Sequence, residues 1–299
     1  MKNQAKAHLF IVSANIIYGL NYAIAKLALT TLPAYALVLT RVLLPVVFYG
    51  LILVFFVKEK VEAKDHWPFI YCGFLGVAAN QLMFIKGLEL TSEIHASLIM
   101  ITTPILVMIM SWIILKEAIT LKKVIGVVLG AWGVYLLVRA AGSNSGSTSS
   151  VTGDILIMLN AASYGLFLVL AKPLMSKYSP YTVAFWFFLY GLVFVLPFGL
   201  SEIGQIPPEA FVGAVFWSWI YVVVVSTLIV YLLNILGLKF GNATLVSIYI
   251  YTQPVIATIV AVAMGTDSLS FTKVVSALLI FSGVALVSFN NKSAILRKA

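Results

Sequence analysis

A chain of 299 residues that is 62% hydrophobic and only 10% charged is not a water-soluble protein, whose surface alone takes about a quarter of the residues as charged. Its nineteen Lys and Arg against ten Asp and Glu give a net charge of +9. Those cations gather in particular short loops rather than one basic patch, which points to membrane topology and away from nucleic acid. The single cysteine, Cys72, excludes an internal disulfide and a cysteine-rich metal site.

A membrane-crossing helix needs roughly 20 apolar residues. The chain supplies ten such runs, near 8–28, 34–56, 67–88, 93–116, 121–139, 154–175, 181–200, 211–238, 241–264 and 270–289. Lys2 and Lys6 precede the first run, as they would in a leader peptide. That run is too long and too polar, with Asn15, Tyr18 and Asn21, for a cleaved core, and reads as span 1. The fold class is therefore all-α, with ten transmembrane helices and no soluble domain.

Connections are short except for RAAGSNSGSTSSVTG between spans 5 and 6, a flexible Gly/Ser-rich piece. It divides the chain into a first five-helix repeat at 1–139, a linker at 140–153 and a second repeat at 154–299. Residues 87–138 return as 237–288, with twelve of 52 positions identical, among them Pro104/Pro254, Lys123/Lys273 and Gly133/Gly283. The openings match at an offset of 146, Tyr18-Gly19-Leu20 as Tyr164-Gly165-Leu166 and Ala25-Lys26 as Ala171-Lys172. Five is odd, so the second copy enters from the opposite face and the repeats are inverted in topology. With both termini inside, fourteen cations lie on inner segments and four (Lys26, Lys86, Arg139 and Lys273) on outer ones, which sets the orientation N-in and C-in.

The paired proline-to-acid segments, the YGL and AK openings, Arg41 early in span 2 and ten helices in two halves resemble the drug/metabolite transporter superfamily, EamA-like branch. The resemblance covers nearly the whole chain and is specific for fold, weak for substrate. It implies a multi-pass transporter of the bacterial inner membrane with a central cavity lined by spans 1, 3, 4, 6, 8 and 9. It also implies a small metabolite as cargo, with exporters of aromatic and other amino acids among the characterised members.

Polar residues inside the spans are the candidates for substrate binding. Asn15, Tyr18 and Tyr22 form one stripe of span 1, Asn80 and Gln81 sit in span 3, and Tyr164 in span 6 beside Asn160 and Ser163. Tyr231 and Asn234 share a stripe of span 8, while Tyr249 and Gln253, four apart, share a face of span 9 on helical geometry. Thr103 and Gln253 are equivalent positions of the two repeats. Each residue alone is better explained by interhelical hydrogen bonding; together they suit one amphipathic pocket. Pro104 and Pro254 kink their helices and free a carbonyl, as gates or as plain architecture.

Arg41 is the one charge well inside a span. It stands near enough the outer end to snorkel outward, and reads first as a structural arginine bonded to helix-end carbonyls. The functional alternative is that it binds a substrate carboxylate or sets the positive potential of the cavity. All ten acids fall at loops or helix ends, so no carboxylate is available in the pathway to couple a proton or sodium ion; a uniporter or exchanger is expected. Glu117 and Asp267 read as corner charges beside Lys123 and Lys273. His95, at the outer start of span 4, reads as a helix-end residue rather than a proton sensor. Gly126, Gly130 and Gly133 give span 5 a small-residue face, for packing in the bundle or for a dimer.

The chain carries no zincin or nucleophile-elbow motif, no nucleotide loop and only three histidines, which argues against a membrane-embedded enzyme and against ATP drive. No cofactor, metal or nucleic acid is expected, and the protein is expected as a monomer or weak homodimer in lipid. The function expected is export of large neutral or aromatic amino acids by alternating access. The alternatives are another amphipathic metabolite, a cationic drug and, more distantly, a channel or a membrane-embedded enzyme.

Overall fold

A computed structural model describes residues 2–91, 93–140, 150–263 and 269–289. Among the described residues there is no strand. Ten helices are long and apolar enough to cross a membrane: Gln4–Ala28, Ala34–Val57, Ala63–Leu90, His95–Leu115, Leu121–Arg139, Val151–Lys177, Pro180–Ile203, Gly213–Phe240, Ala243–Val260 and Phe271–Ser288, hereafter spans 1 to 10. Ser92, Asp267, most of the linker and the segment carrying Lys292, Arg297 and Lys298 lie outside the described residues. Span 6 begins at Val151, earlier than its hydropathy suggests. Ser150 caps it there, its hydroxyl accepting from the Gly153 amide at 3.0 Å.

Helix ends in a membrane protein leave carbonyls and amides that must find partners. Two acids solve this reciprocally for spans 2 and 7, which pack along their length. Glu202, at the end of span 7, accepts from the Tyr35 amide at 2.6 Å at the start of span 2. Glu59, just past span 2, accepts from the Ser179 amide at 2.9 Å at the start of span 7. On the same face as Glu59, Lys177 bridges Asp65 and Glu62, and with Lys64 holds the exposed Glu62 carboxyl below the usual carboxylate range.

The other large contacts also join one half of the chain to the other. Span 1 packs on span 8, span 3 on span 6 and span 5 on span 10. The glycines of span 5 serve the last of these. A Cβ on Gly126 would stand 2.7 Å from the Gly283 carbonyl oxygen, and one on Gly133 would stand 2.8 Å from that of Ser276. The small-residue face is spent inside the bundle. Glu117 pairs with Lys123 at 3.3 Å at the corner between spans 4 and 5.

Spans 3, 4, 8 and 9 are not regular helices. Spans 3 and 8 each contain a widened π-helical stretch, Phe74–Ala79 and Tyr221–Ile229, and these overlap at the 150-residue offset of the repeats. Span 4 breaks at Ile101 and span 9 passes through a 3-10 turn at Tyr249–Thr252, each just before its proline. Pro104 and Pro254 have no amide hydrogen to give and their rings crowd the carbonyl four residues back, which ends the first helix segment. At the break, the Ile101 carbonyl accepts from the Tyr251 hydroxyl of the other repeat at 2.9 Å.

Candidate functional site

The irregular turns border one cavity, whose empty space with its open mouth is about 630 Å³. Its wall comes from spans 1, 2, 3, 4, 6, 8 and 9: Asn15, Tyr18, Asn21, Tyr22, Arg41, Asn80, Phe84, Met100, Asn160, Tyr164, Tyr231, Asn234, Val246, Ile250 and Gln253. Tyr18, Tyr164, Tyr231 and Asn234 also line a smaller space of about 280 Å³ between spans 6 and 8, and so form the partition between the two.

The π-helical stretch of span 3 accounts for much of the geometry. Widening the turn leaves carbonyls without their ordinary helical partner, and side chains of the other repeat take them. Ser163 donates to Leu75 O at 2.7 Å and Tyr231 to Gly76 O at 2.6 Å within the stretch, and Asn160 donates to Asn80 O at 2.7 Å just past it. Tyr231 is thereby fixed at the wall, within 3.3 Å of Asn80 Oδ1. On the opposite wall, Gln253 Nε2 donates to Asn15 Oδ1 at 2.8 Å, and Asn15 is itself tied to Ile11 O at 2.8 Å. These amides are committed to one another.

Arg41 is only 4% exposed and turns inward. It does not snorkel outward: Arg41 Nε donates to Thr227 Oγ1 at 2.8 Å, and Thr227 Oγ1 donates to Val222 O at 2.7 Å inside the π-helical stretch of span 8. Its Nη1 is buried with no hydrogen-bond partner, as are the Oδ1 atoms of Asn21 and Asn160. No residue of the wall is an acid. A buried cationic donor and two buried acceptors are thus left open, each costly unless something in the cavity satisfies it.

The wall brings together Asn15, Tyr18, Tyr22, Arg41, Asn80, Tyr164, Tyr231, Asn234 and Gln253 of the residues picked from sequence. It leaves out Gln81, Thr103, Tyr249 and the two prolines, although Pro254 borders a small side space with Tyr22. Tyr249 stands at the start of the 3-10 turn, so four residues no longer return to one face. Its hydroxyl bonds His8 Nδ1 at 2.7 Å instead. Thr103 is fully buried, its hydroxyl 3.9 Å from the Met100 sulfur. Gln81 points behind the wall, its Nε2 3.5 Å from the Tyr231 hydroxyl. His95 lies 3.4 Å from Asp154 Oδ2 near the span 6 start, apart from the cavity.

Met100, Val246 and Ile250 are wall residues that polarity could not reveal. One signal was present: Met100 and Ile250 are equivalent positions, each four residues before a kinking proline. A direct check follows from Tyr249 and Gln253. Tyr249→Phe should leave transport within about twofold of the unaltered protein, while Gln253→Ala, which leaves the buried Asn15 Oδ1 without its donor, should raise KM about tenfold. Uptake kinetics in proteoliposomes measure both.

The EamA-like transporter family matches residues 5–139 and 151–289, once in each half. "Uncharacterized transporter YetK" of Bacillus subtilis is 26% identical over 98% of this chain and 89% of its own length. An uncharacterized transporter of Archaeoglobus fulgidus is 22% identical over 95% of this chain and 98% of its own. A crystal structure at 20% identity superposes with a TM-score of 0.75 over 97% of this chain and 99% of that one, and so shares the fold. Ten apolar helices, a cavity walled by both halves and a family match over nearly the full length converge: this multi-pass membrane protein belongs to the EamA-like transporter family.

Proposed function

We propose that the protein is a secondary carrier of small zwitterions, exporting large neutral or aromatic amino acids through the central cavity. The observation that carries this reading is the trio of unsatisfied groups at the wall. Arg41 Nη1 suits a carboxylate, and the Asn21 and Asn160 oxygens suit an ammonium. Phe84, Met100, Val246 and Ile250 supply apolar surface for a side chain. A cationic drug fits less well beside a buried arginine in a wall without acids.

The two halves act as inverted copies, with the N-terminus inside, and rock to open the cavity to one face at a time. The offsets of 146 and 150 residues and the fourteen-to-four cation bias support that arrangement. Lacking a carboxylate at the wall, the carrier runs as a uniporter or exchanger.

Counterflow tests it. Proteoliposomes loaded with unlabelled phenylalanine and offered labelled phenylalanine, with no ion gradient, should accumulate label transiently. Absence of accumulation for phenylalanine, tryptophan and leucine alike, in protein that is folded, would sink the amino-acid reading.

A further inference from the structure

Two lysines that the sequence assigns to helix ends do the same thing on opposite faces of the molecule. Lys26 Nζ, on span 1, donates to the carbonyls of Leu88 at 2.6 Å, Glu89 at 3.3 Å and Thr91 at 2.9 Å, where span 3 ends. Lys172 Nζ, on span 6, donates to those of Leu238 at 2.6 Å, Lys239 at 3.3 Å and Gly241 at 2.6 Å, where span 8 ends. The donors match at the offset of 146 and all three acceptors at the offset of 150. Each ammonium spends its three hydrogens on the orphan carbonyls of another helix, at the negative end of that helix's dipole.

The helices joined in this way are ones that otherwise touch sparingly. Span 1 packs mainly on span 8 and span 3 mainly on span 6, so the cavity lies between a 1/8 pair and a 3/6 pair. Lys26 ties the two pairs together at one face, and Lys172 ties the same two pairs at the other. Each lysine stands one helical turn beyond a residue lining the internal space, Tyr22 in the first case and Leu168 in the second. A hydrogen-bonded tie of this kind is local and reversible, whereas the packing within each pair is extensive.

We propose that Lys26 and Lys172 are positioning residues that latch the two gates of the carrier, one per face, so that transport requires their bonds to be broken in alternation. The proposal rests on the alternating-access reading and not on the identity of the cargo. Removing one latch should favour the state open at that face, and removing the other should favour the opposite state.

The test needs no substrate. A reporter protein carrying Cys72→Ser and Ile250→Cys places one thiol on the cavity wall. Its reaction with a membrane-impermeant maleimide is timed from each side, in right-side-out and inverted vesicles. Lys26→Met should raise labelling from the face of Lys26 and lower it from the other, shifting the ratio about tenfold; Lys172→Met should shift it about tenfold the other way. The double substitution should return the ratio near its starting value. Shifts in the same direction, or none, overturn the latches. Where a Met variant fails to reach the membrane, Lys26→Gln or Lys172→Gln carries the comparison; if these fail too, the lysines serve folding and the proposal falls. A reporter that reacts from one face only, whichever latch is removed, would instead refute alternating access itself.

Discussion

Arg41→Ala is expected to leave a folded protein that transports amino acids at least about a hundredfold less efficiently. The guanidinium is buried, held by one bond from Nε to Thr227 and faced by no acid at the wall, which leaves Nη1 without a protein partner. A charge-assisted hydrogen bond to a carboxylate is worth about 1.5–3 kcal/mol, and a bidentate pair more. Arg41→Lys keeps the charge but cannot bond Thr227 and the cargo at once, and should lose about tenfold. The control is a cargo without the carboxylate. Phenethylamine, if carried at all, should be indifferent to Arg41→Lys, while phenylalanine is not. Equal losses for both would make the arginine structural. Concentration dependence of exchange in proteoliposomes supplies KM, and size-exclusion profiles establish that each variant is folded.

Gly283→Val is expected to cost the fold rather than the kinetics. The backbones of spans 5 and 10 cross at Gly126 and Gly283, where even a Cβ on Gly126 would sit 2.7 Å from a carbonyl oxygen. No rotamer change relieves a clash with backbone, so the helices must part. Overpacking of this kind typically costs about 1–3 kcal/mol, and with immovable backbone the upper end applies. The apparent melting temperature in detergent should fall by about 5–10 °C, with a matching drop in yield from membranes. Gly204→Ala, where a Cβ would meet nothing within 4 Å, is the control and should melt with the unaltered protein. An unchanged melting temperature for Gly283→Val would mean that spans 5 and 10 do not pack this closely.

Where the helices are regular, spacing located the wall well. Tyr18 and Tyr22, Tyr231 and Asn234, and Tyr164 stand on uninterrupted α-turns, and amides in an apolar run advertise themselves because lipid would not tolerate them. The misplacement of Tyr249 has one cause, the 3-10 turn ahead of Pro254, which rotates it toward His8. The π-helical stretches left no mark in the residue pattern, yet they hold the carbonyls that Tyr231 and Ser163 satisfy. Apolar wall residues such as Val246 look, in sequence, like any residue facing lipid or core. Lys26 and Lys172 were visible as a matched pair from the AK openings, but a lysine near a helix end ordinarily signals topology. Only the three-dimensional ends of spans 3 and 8 give them targets.

The pairing of spans across the two halves has a consequence for biosynthesis. Spans 1, 2, 3 and 5 find their main partners in spans 8, 7, 6 and 10, all made later. At about 5–20 residues per second, the second half takes roughly seven to thirty seconds to emerge. For that time the first five helices wait in the bilayer with a glycine seam, a lone arginine and uncapped helix ends exposed to lipid or to neighbouring proteins. The first half is therefore expected to be more exposed to proteolysis than the finished bundle, and ribosome pausing near the linker would lengthen that exposure.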